Sequence, residues 1–490
     1  MTMTMTQAEE LLRPGRMLIG GEWISQGSGG EYVHINPATG RPHPPIPMGG
    51  AAEIEHAVQA ARKAFPAWRA MPADARRDVL LRLAALIRDH VEELATLTTL
   101  DNGSPKRTSG SGPLAAADAF TYFAGWVDKI GGDVIPTWPA PALDYALMEP
   151  YGVVGVMIPW NTLMHNVGQV IGAALAAGNC VLFKPPELAP FTMLRFGELA
   201  MEAGLPLGVL NIVPGGPDAG RAMVSHPGVD KIVFIGSGAT ARQIMASAAA
   251  TLKPVTLELG GKSANIIFAD ADLQTAAGYS AFLAMANAGQ GCLLPTRLLV
   301  EDSVYDRVVG MLVATTRLIK VGDPFADDTV IGPVIDFRAC ERIMGVIERA
   351  KAENAGKLLT GGRRLGGDLA NGYFIEPTVF GDVDNASDLA QHEIFGPVLA
   401  VIRFKDEAEA ISIANDTEYG LAAYLFSNDL RRTHRVAAAL EAGTVFVNGF
   451  TGLPVTTPFG GVKQSGFGRM GGRHGLEDFL RPKNVYIPLA

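Results

Sequence analysis

The spacing of hydrophobic positions changes along the chain in a way that predicts an α/β protein. Over residues 54–94 apolar side chains recur every three or four positions, which predicts two amphipathic helices, the second opened by Pro72 and closed by Gly103. Over residues 153–259 short β-branched runs without polar alternation are separated by helical stretches. Such runs are typical of strands buried on both faces, so we predict a doubly wound parallel sheet of the Rossmann type.

A second alternation of helices and strands follows. We predict a helix over 271–288 and strands over 298–300, 398–404, 423–426 and 444–447. Residues 1–50 are rich in glycine and proline and predict an N-terminal arm of short extended pieces. Extended runs at 134–135, 145–148 and 484–487 predict a small β unit, whose last strand lies at an edge.

Composition excludes several classes of protein. With 490 residues, 48% of them hydrophobic, the chain can bury a large core and form two to four folding units. The net charge of −9 argues against a nucleic-acid partner. No apolar run reaches the roughly 20 residues of a spanning helix, and the first ten residues lack the pattern of a secretion signal. Three cysteines favour a reducing cytoplasm over a disulfide scaffold, and we predict no metal site.

A glycine-rich turn is the first candidate site. The apolar run 231–235 leads into Gly236-Ser237-Gly238-Ala239-Thr240-Ala241, which matches the dinucleotide pattern Gly-x-Gly-x-x-Gly/Ala between a strand and a helix. Glu258 follows about twenty residues later, where that pattern places an acid that binds a ribose. The alternative is a turn that binds nothing.

Two further residues have the setting of catalytic groups. Cys292 follows Gly289-Gln290-Gly291, and a cysteine on such a glycine-flanked loop can act as a nucleophile. The alternative for Cys292 is a small buried hydrophobic residue. We predict this structural role for Cys180 and Cys340. Glu258 ends an apolar strand, where burial should raise its pKa and make it a base near neutral pH. The alternative for Glu258 is an ion pair with Lys262.

Taken together, these segments resemble the aldehyde dehydrogenase superfamily over essentially the whole chain. Five motifs in the order of that family carry the resemblance: Ile158-Pro159-Trp160-Asn161, Leu257-Glu258-Leu259-Gly260-Gly261-Lys262, Asn287 with Gly289-Gln290-Gly291-Cys292, Glu393-Ile394-Phe395-Gly396-Pro397-Val398, and Pro458-Phe459-Gly460-Gly461-Val462-Lys463-Gln464-Ser465-Gly466.

The resemblance implies NAD-dependent oxidation of an aldehyde to a carboxylic acid through a thiohemiacetal and a thioester. Cys292 would be the nucleophile, and the Asn161 amide together with the Cys292 backbone N–H would hold the oxyanion. Glu258 would activate the water that hydrolyses the thioester. The resemblance also moves the ribose contact from Glu258 to Lys184 and Glu187.

The cofactor site implied by the resemblance is larger than the glycine turn. It comprises Ile158, Trp160, Lys184, Glu187, Gly215, Gly236, Ser237, Leu259, Glu393 and Phe395. Gly236 and Ser237 would meet the pyrophosphate, and Glu393 and Phe395 the nicotinamide end. The Glu187 carboxylate would repel a 2′-phosphate, so we expect NAD rather than NADP.

The resemblance also places a substrate tunnel beside the nucleophile. Its positions are Thr162, Asn166, Gln169, Ala286, Gly291, Leu293, Thr451, Leu453 and Phe459. Several of them are often aromatic in family members with apolar tunnels, whereas Phe459 is the remaining aromatic here. We therefore expect a wide, partly polar tunnel for a bulky or aromatic aldehyde; the alternative is that loops refill the space.

Two charged residues that many family members use as a proton relay are replaced by Val170 and Met470. We therefore expect Glu258 to lose its proton through water or the backbone. Two alternatives to the main function stay open: acyl transfer to coenzyme A, whose enzymes typically lack the base, and a catalytically silent homologue.

The family organisation implies three units. They are an NAD-binding domain (1–128 and 151–257), a catalytic domain (258–470) and bridging segments (129–150 and 471–490) that form a homodimer or homotetramer.

Overall fold

The computed structural model describes residues 4–449 and 452–489. Its α-helices are α1 (Met5–Glu9), α2 (Ala51–Ala70), α3 (Ala73–Asp89), α4 (Val91–Asn102), α5 (Lys106–Ser109), α6 (Ser111–Ala124), α7 (Leu163–Asn166), α8 (Ala173–Ala176), α9 (Phe191–Glu202), α10 (Pro217–Ser225), α11 (Gly238–Ala249), α12 (Leu273–Met285), α13 (Tyr305–Arg317), α14 (Phe337–Ala352), α15 (Asp388–Gln391), α16 (Glu407–Asn415), α17 (Leu430–Ala439) and α18 (Gly472–Glu477). None of the helices in these two ranges is both long and apolar enough to cross a bilayer.

The strands are β1 (Met17–Ile19), β2 (Glu22–Ile24), β3 (Glu31–Ile35), β4 (Pro42–Pro47), β5 (Val134–Ile135), β6 (Ala142–Pro150), β7 (Val153–Met157), β8 (Cys180–Lys184), β9 (Leu210–Ile212), β10 (Lys231–Ile235), β11 (Val255–Glu258), β12 (Ala264–Ile267), β13 (Arg297–Glu301), β14 (Lys357–Thr360), β15 (Thr378–Gly381), β16 (Val398–Phe404), β17 (Ala422–Phe426), β18 (Thr444–Val447), β19 (Gly466–Phe467) and β20 (Leu480–Pro488).

The first large sheet has the order β19-β11-β10-β7-β8-β9-β1-β2. Its five central strands, β11 to β9 in that order, are parallel, and β19 and β1 flank them in antiparallel pairing. All residues of β7 and β10 are buried, as expected for strands covered on both faces. The predicted doubly wound sheet is confirmed.

The second large sheet has the order β14-β15-β16-β13-β12-β17-β18 and is parallel except for the β14–β15 pair. β13, β16, β17 and β18 were predicted from the sequence, whereas β12, β14 and β15 were not. β12 lies inside the sheet between β13 and β17, yet it has only four residues and begins three positions after Gly261. So short a segment carries no periodic signal of its own.

A third sheet contains β20, β6 and β5. β6 and β20 pair antiparallel over nine residues each, from Leu480 opposite Pro150 to Pro488 opposite Ala142. The extended runs predicted at 134–135, 145–148 and 484–487 all lie in this sheet. The domain boundaries proposed from the sequence stay a prediction.

Three helix predictions need correction. The second amphipathic helix is divided at His90, whose backbone leaves the helical conformation (φ −104°, ψ 19°) and whose ring nitrogen Nδ1 lies 2.8 Å from Glu93 Oε2 at the start of α4. The helix predicted over 271–288 ends at Met285, because Asn287 and Ala288 adopt left-handed conformations. The helical stretch expected between the first two strands of the 153–259 region is not one regular α-helix: it begins with α7, and Val167–Gly172 is wound as a π-helix before α8.

Candidate active site

The carboxyl ends of β7, β8, β9, β10 and β11 lie along one edge of the first sheet. In open parallel sheets, ligands bind in the crevice outside this edge. Predicted cofactor residues end or follow these strands: Ile158 and Trp160 after β7, Lys184 and Glu187 at β8, Gly215 after β9, Gly236 and Ser237 after β10, and Leu259 after β11. The fold therefore gathers at one edge residues that are up to 101 positions apart in the sequence.

The glycine turn after β10 leads into the N-terminus of α11. Ser237 caps that helix, its Oγ accepting from the Thr240 N–H at 3.4 Å. A Cβ on Gly236 would lie 2.5 Å from the Phe234 ring, so this position has no room for a side chain. A helix N-terminus with an uncrowded backbone suits a phosphate group, and the turn fits the pyrophosphate of a dinucleotide.

Lys184 and Glu187 lie together at the end of β8, with 3.4 Å between Lys184 Nζ and Glu187 Oε2. The pair offers one donor group and one acceptor group at the edge of the sheet. Such a combination fits the two hydroxyls of a ribose.

Glu393 lies against the turn that follows β11. Its Oε1 accepts from the Gly261 N–H at 3.0 Å, and a Cβ on Gly260 would lie 2.1 Å from its Oε2. Burial raises the pKa of Glu393 to about 7. Phe395, with φ +51°, meets the Trp160 ring edge to face at 5.6 Å between centroids. The second sheet thus contributes Glu393 and Phe395 to the cofactor edge of the first, where a nicotinamide ribose and ring would fit.

The loop that carries Cys292 is held by the side chain of Gln290. Gln290 Nε2 donates to the Asn287 carbonyl at 3.0 Å, and Gln290 Oε1 accepts from the Ile335 N–H at 2.9 Å. Gln290 is buried, so these bonds are not exposed to competition from water. They fix the backbone immediately before the half-buried Cys292.

Two more contacts shape the same loop. Gly289 has φ +72°, and a Cβ there would lie 2.0 Å from the Gly396 carbonyl oxygen, so only glycine allows this approach. The Tyr424 hydroxyl donates to the Leu293 carbonyl at 3.1 Å. Tyr424 was not predicted as a site residue, because it lies in an apolar strand with no local signal of a role.

The pKa of the Cys292 thiol is raised to about 12, first by burial and then by Glu393 and Glu258. The thiol is therefore protonated at neutral pH in this arrangement, and its attack requires transfer of the proton to a base. Cys180 and Cys340 are fully buried, consistent with the structural role predicted for them.

Asn161 follows β7 and reaches the loop of the nucleophile. Its Nδ2 donates to the Gln290 carbonyl at 3.0 Å. The amide has a second N–H, which remains available for an oxygen of a molecule bound at Cys292. This position is compatible with the oxyanion role expected for Asn161, which stays a prediction.

Glu258 is the last residue of β11 and is almost completely buried. Burial raises its pKa well above the ordinary value, and the charge of Arg469 opposes that effect. The Gly461 backbone N–H also lowers the pKa of Glu258 slightly, but among the described residues no donor reaches either carboxylate oxygen with full hydrogen-bond geometry. The ion pair with Lys262 that the sequence left open is not present between these two described side chains. A buried carboxyl with a high pKa and free oxygens can accept a proton from water.

Val170 and Met470, at the positions of the usual relay, are both buried and carry no charge. Arg469, the neighbour of Met470, was missed by the sequence analysis although it belongs to a Gly-x-Gly-Arg segment. Its Nη1 donates to the carbonyls of Gly461 and Gly468 at 3.0 and 2.6 Å. These bonds hold a permanent cation near the candidate base.

A cavity of about 830 Å³ opens beside Cys292 and Asn161. Five predicted tunnel positions line it: Thr162, Ala286, Gly291, Leu293 and Leu453. Thr451 lies outside the described residues.

Three other predicted tunnel residues, Asn166, Gln169 and Phe459, are buried and do not line this cavity. Asn166 Nδ2 instead donates to Thr162 Oγ1 at 2.9 Å, because one turn of helix places it behind the wall that Thr162 forms. Phe459 pairs by its backbone with Met470 on the side of the base. The wall formed by residues 104–113 was not predicted from the sequence, and neither were His165 and Phe282.

Comparisons with known proteins agree with this geometry. The model of the aldehyde dehydrogenase family matches residues 23–485. The chain is 44% identical over 478 residues to an aldehyde dehydrogenase of Enchytraeus buchholzi, covering 96% of this chain and 95% of that one. It is 43% identical over 485 residues to the chloroplastic betaine aldehyde dehydrogenase of Atriplex hortensis, covering 96% of each.

Among solved structures, the betaine aldehyde dehydrogenase of Staphylococcus aureus in complex with NAD+ superposes with a TM-score of 0.96. The two are 37% identical, and the match covers 99% of this chain and 96% of that one. The chain belongs to the aldehyde dehydrogenase family, as its motifs predicted.

Proposed function

We propose that this protein oxidises a bulky or aromatic aldehyde to the carboxylic acid with NAD as the oxidant. One observation carries the proposal: a half-buried cysteine and an asparagine amide line the same cavity of about 830 Å³, and a buried carboxyl acts on that cysteine from outside the cavity. A nucleophile, an oxyanion donor and a base are the three groups that acyl chemistry at a thiol needs.

The first step forms a carbon–sulfur bond. Cys292 Sγ attacks the aldehyde carbon as its proton passes to a base, and the carbonyl oxygen becomes an oxyanion held by Asn161 Nδ2 and the Cys292 N–H. When bound, the oxidised nicotinamide supplies the acceptor for the hydride that leaves this carbon. Loss of that hydride leaves a thioester on Cys292.

The second step breaks the carbon–sulfur bond. Glu258 accepts a proton from water, the water oxygen attacks the thioester carbonyl, and the carboxylic acid departs as the thiol regains a proton. The raised pKa of Glu258 makes it a stronger base than an exposed carboxylate, and Arg469 keeps that pKa from rising further. Retention of this base favours hydrolysis over acyl transfer to coenzyme A.

The size of the cavity supports a large substrate, because pockets for drug-sized ligands occupy about 300–1,000 Å³. Small side chains at Ala286 and Gly291 leave room beside the nucleophile. We favour NAD over NADP because the carboxylate of Glu187, beside Lys184 at the proposed ribose site, would repel a 2′-phosphate by like charge.

We also propose a homo-oligomer in a reducing, cytoplasmic compartment. The third sheet exposes the apolar side chains of Val134 (78% exposed), Leu143 and Ile487, and Trp138 in the connection from β5 to β6 is 86% exposed. A second copy of the chain would cover them. The three free cysteines fit the compartment. Light scattering coupled to gel filtration tests the assembly, and a monomeric mass would contradict it.

The experiment for the reaction follows NADH absorbance with NAD or NADP across aliphatic and aromatic aldehydes. We expect turnover with NAD that is abolished by Cys292→Ala and retained by Cys340→Ala, the matched control at a buried thiol. Turnover that survives Cys292→Ala, or the absence of turnover with every aldehyde despite NAD binding, would refute the proposal.

A further inference from the structure

The outer wall of the substrate cavity includes a short polar segment, residues 104–111, that contains α5. The segment is firmly placed. The Lys106 N–H donates to the Pro324 carbonyl at 2.8 Å, and Ser104 Oγ donates to Asn287 Oδ1 at 2.9 Å beside the loop of the nucleophile. Side chains on this segment therefore hold a fixed relation to Cys292.

Two adjacent cations on α5 differ in their partners. Lys106 forms an ion pair with Glu92, with 2.6 Å between Nζ and Oε2. Arg107 lines the cavity and is exposed, and its guanidinium has no hydrogen bond or ion pair with any side chain or carbonyl in the described part of the chain. Its five N–H donors are thus available to a ligand.

The described residues that line the cavity carry positive charge and no negative charge. Of the described residues that line it, Arg107 is the only one with a permanent charge, and none is an aspartate or a glutamate. His165 is the other basic group, and burial lowers its pKa, so it is a neutral imidazole at pH 7. The wall also carries hydroxyls, among them those of Thr108 and Ser111.

This lining is poorly suited to a quaternary ammonium substrate of the kind that the names of two relatives indicate. Such cations are recognised by aromatic rings or carboxylates. Phe282 is the one aromatic side chain among the described lining residues, and Arg107 would repel a cation.

We propose that the aldehyde carries a carboxylate remote from its reacting carbon and that Arg107 binds this carboxylate, so that the substrate is a semialdehyde of a dicarboxylic acid. The inference rests on the proposed function and narrows its substrate class. A guanidinium matches a carboxylate with two parallel hydrogen bonds, which a lysine does not reproduce. The apolar walls between Arg107 and Cys292 would hold the connecting carbons.

The test compares charged aldehydes with uncharged partners of similar shape. The pairs are 4-carboxybenzaldehyde with methyl 4-formylbenzoate, and 6-oxohexanoate with its methyl ester. For each pair we would measure the ratio of kcat/KM, acid over ester, in the wild-type protein and in Arg107→Met, Arg107→Lys and Arg307→Met. Arg307 is an exposed arginine of α13 outside the cavity, so its variant loses the same charge.

We expect the wild-type protein to prefer the acid in at least one pair, and Arg107→Met to lower that ratio by about 10–100-fold, the range for hydrogen bonds to charged groups. Arg107→Lys should retain part of the preference, and Arg307→Met all of it. Turnover of the esters should remain unchanged in Arg307→Met, and the acid-over-ester ratio cancels any general effect of an Arg107 substitution on turnover.

Equal kcat/KM for acid and ester in both pairs, or a ratio unaffected by Arg107→Met, would overturn the inference and leave the proposed function intact. Absence of NADH formation with all four aldehydes would overturn both.

Discussion

Gly260 offers a sharp test of the cofactor site, because a methyl group there collides with a single functional side chain. In Gly260→Ala the new Cβ would lie 2.1 Å from Glu393 Oε2 and 2.7 Å from its Cδ, whereas real Cβ contacts stay beyond 3.0 Å. The backbone of Gly260 has no positive φ, so alanine is otherwise accommodated. The Glu393 carboxylate must therefore retreat by about 1 Å, and it would lose its bond from the Gly261 N–H.

The expected cost follows from the role proposed for Glu393 in holding the nicotinamide ribose. A displacement of about 1 Å in a positioning group can reduce the rate about 100-fold, which corresponds to about 2.7 kcal/mol in the barrier. The carboxylate is the far end of a flexible side chain, so the fold should tolerate its movement. We therefore expect kcat/KM for NAD to fall about 100-fold with little change in Tm.

The assay measures NADH formation at saturating aldehyde over a range of NAD concentrations. Gly278→Ala in α12 is the matched control, because no atom lies within 4 Å of its built Cβ. A double-mutant cycle with Glu393→Ala isolates the collision: once the carboxylate is absent, Gly260→Ala should cost little more.

Unchanged kinetics in Gly260→Ala would refute the proposed position of Glu393. An equal 100-fold loss on top of Glu393→Ala would show that the methyl group acts elsewhere.

Four further predictions concern the catalytic groups. Asn161→Ala should lower kcat about 100–1,000-fold without changing the Kd for NAD. The control is Asn166→Ala, which removes a nearby amide and should leave kcat unchanged. Equal losses of kcat in the two variants would contradict the oxyanion role. Glu258→Gln should release at most about one NADH per active site and then stop, as stopped-flow absorbance can measure; steady turnover would refute its role in deacylation.

Because the folded-state pKa of Glu258 is raised, the native state keeps a proton that the unfolded chain has lost, and stability falls as pH rises through that window. Glu258→Gln should therefore raise Tm relative to the wild type increasingly with pH, and a constant difference would argue against a raised pKa. Arg469→Met should raise the pKa of Glu258 further and move the acid limb of the pH profile of deacylation to higher pH. Arg469→Lys should shift this limb by an intermediate amount. An unaltered pH profile would show that Arg469 does not act on the base.

Much of the site could be predicted because its residues stand in motifs at the ends of strands. The runs before Gly236 and Glu258 are apolar and short, so their pattern predicted parallel strands, and residues that follow such strands meet at one edge. Cys292 was identified from its glycine-flanked motif, and the same segment holds Gln290, whose side chain fixes the loop. The left-handed residues at Asn287 and Ala288 had no comparable signal, because their conformation depends on contacts with a distant segment such as the bond from Ser104.

The sequence by itself determined the family and the two α/β units, and it supplied the residues proposed as nucleophile, base and oxyanion amide, since periodicity and motifs are local properties of the chain. Only the tertiary structure decided which side chains line the cavity. It turned Asn166 and Gln169 into the interior and brought Arg107 to the wall, because the direction of a side chain depends on how its helix packs. It also decided that Arg469, rather than Lys262, is the cation that acts on Glu258, because strand pairing between β11 and β19 carries the C-terminal segment past the buried carboxyl.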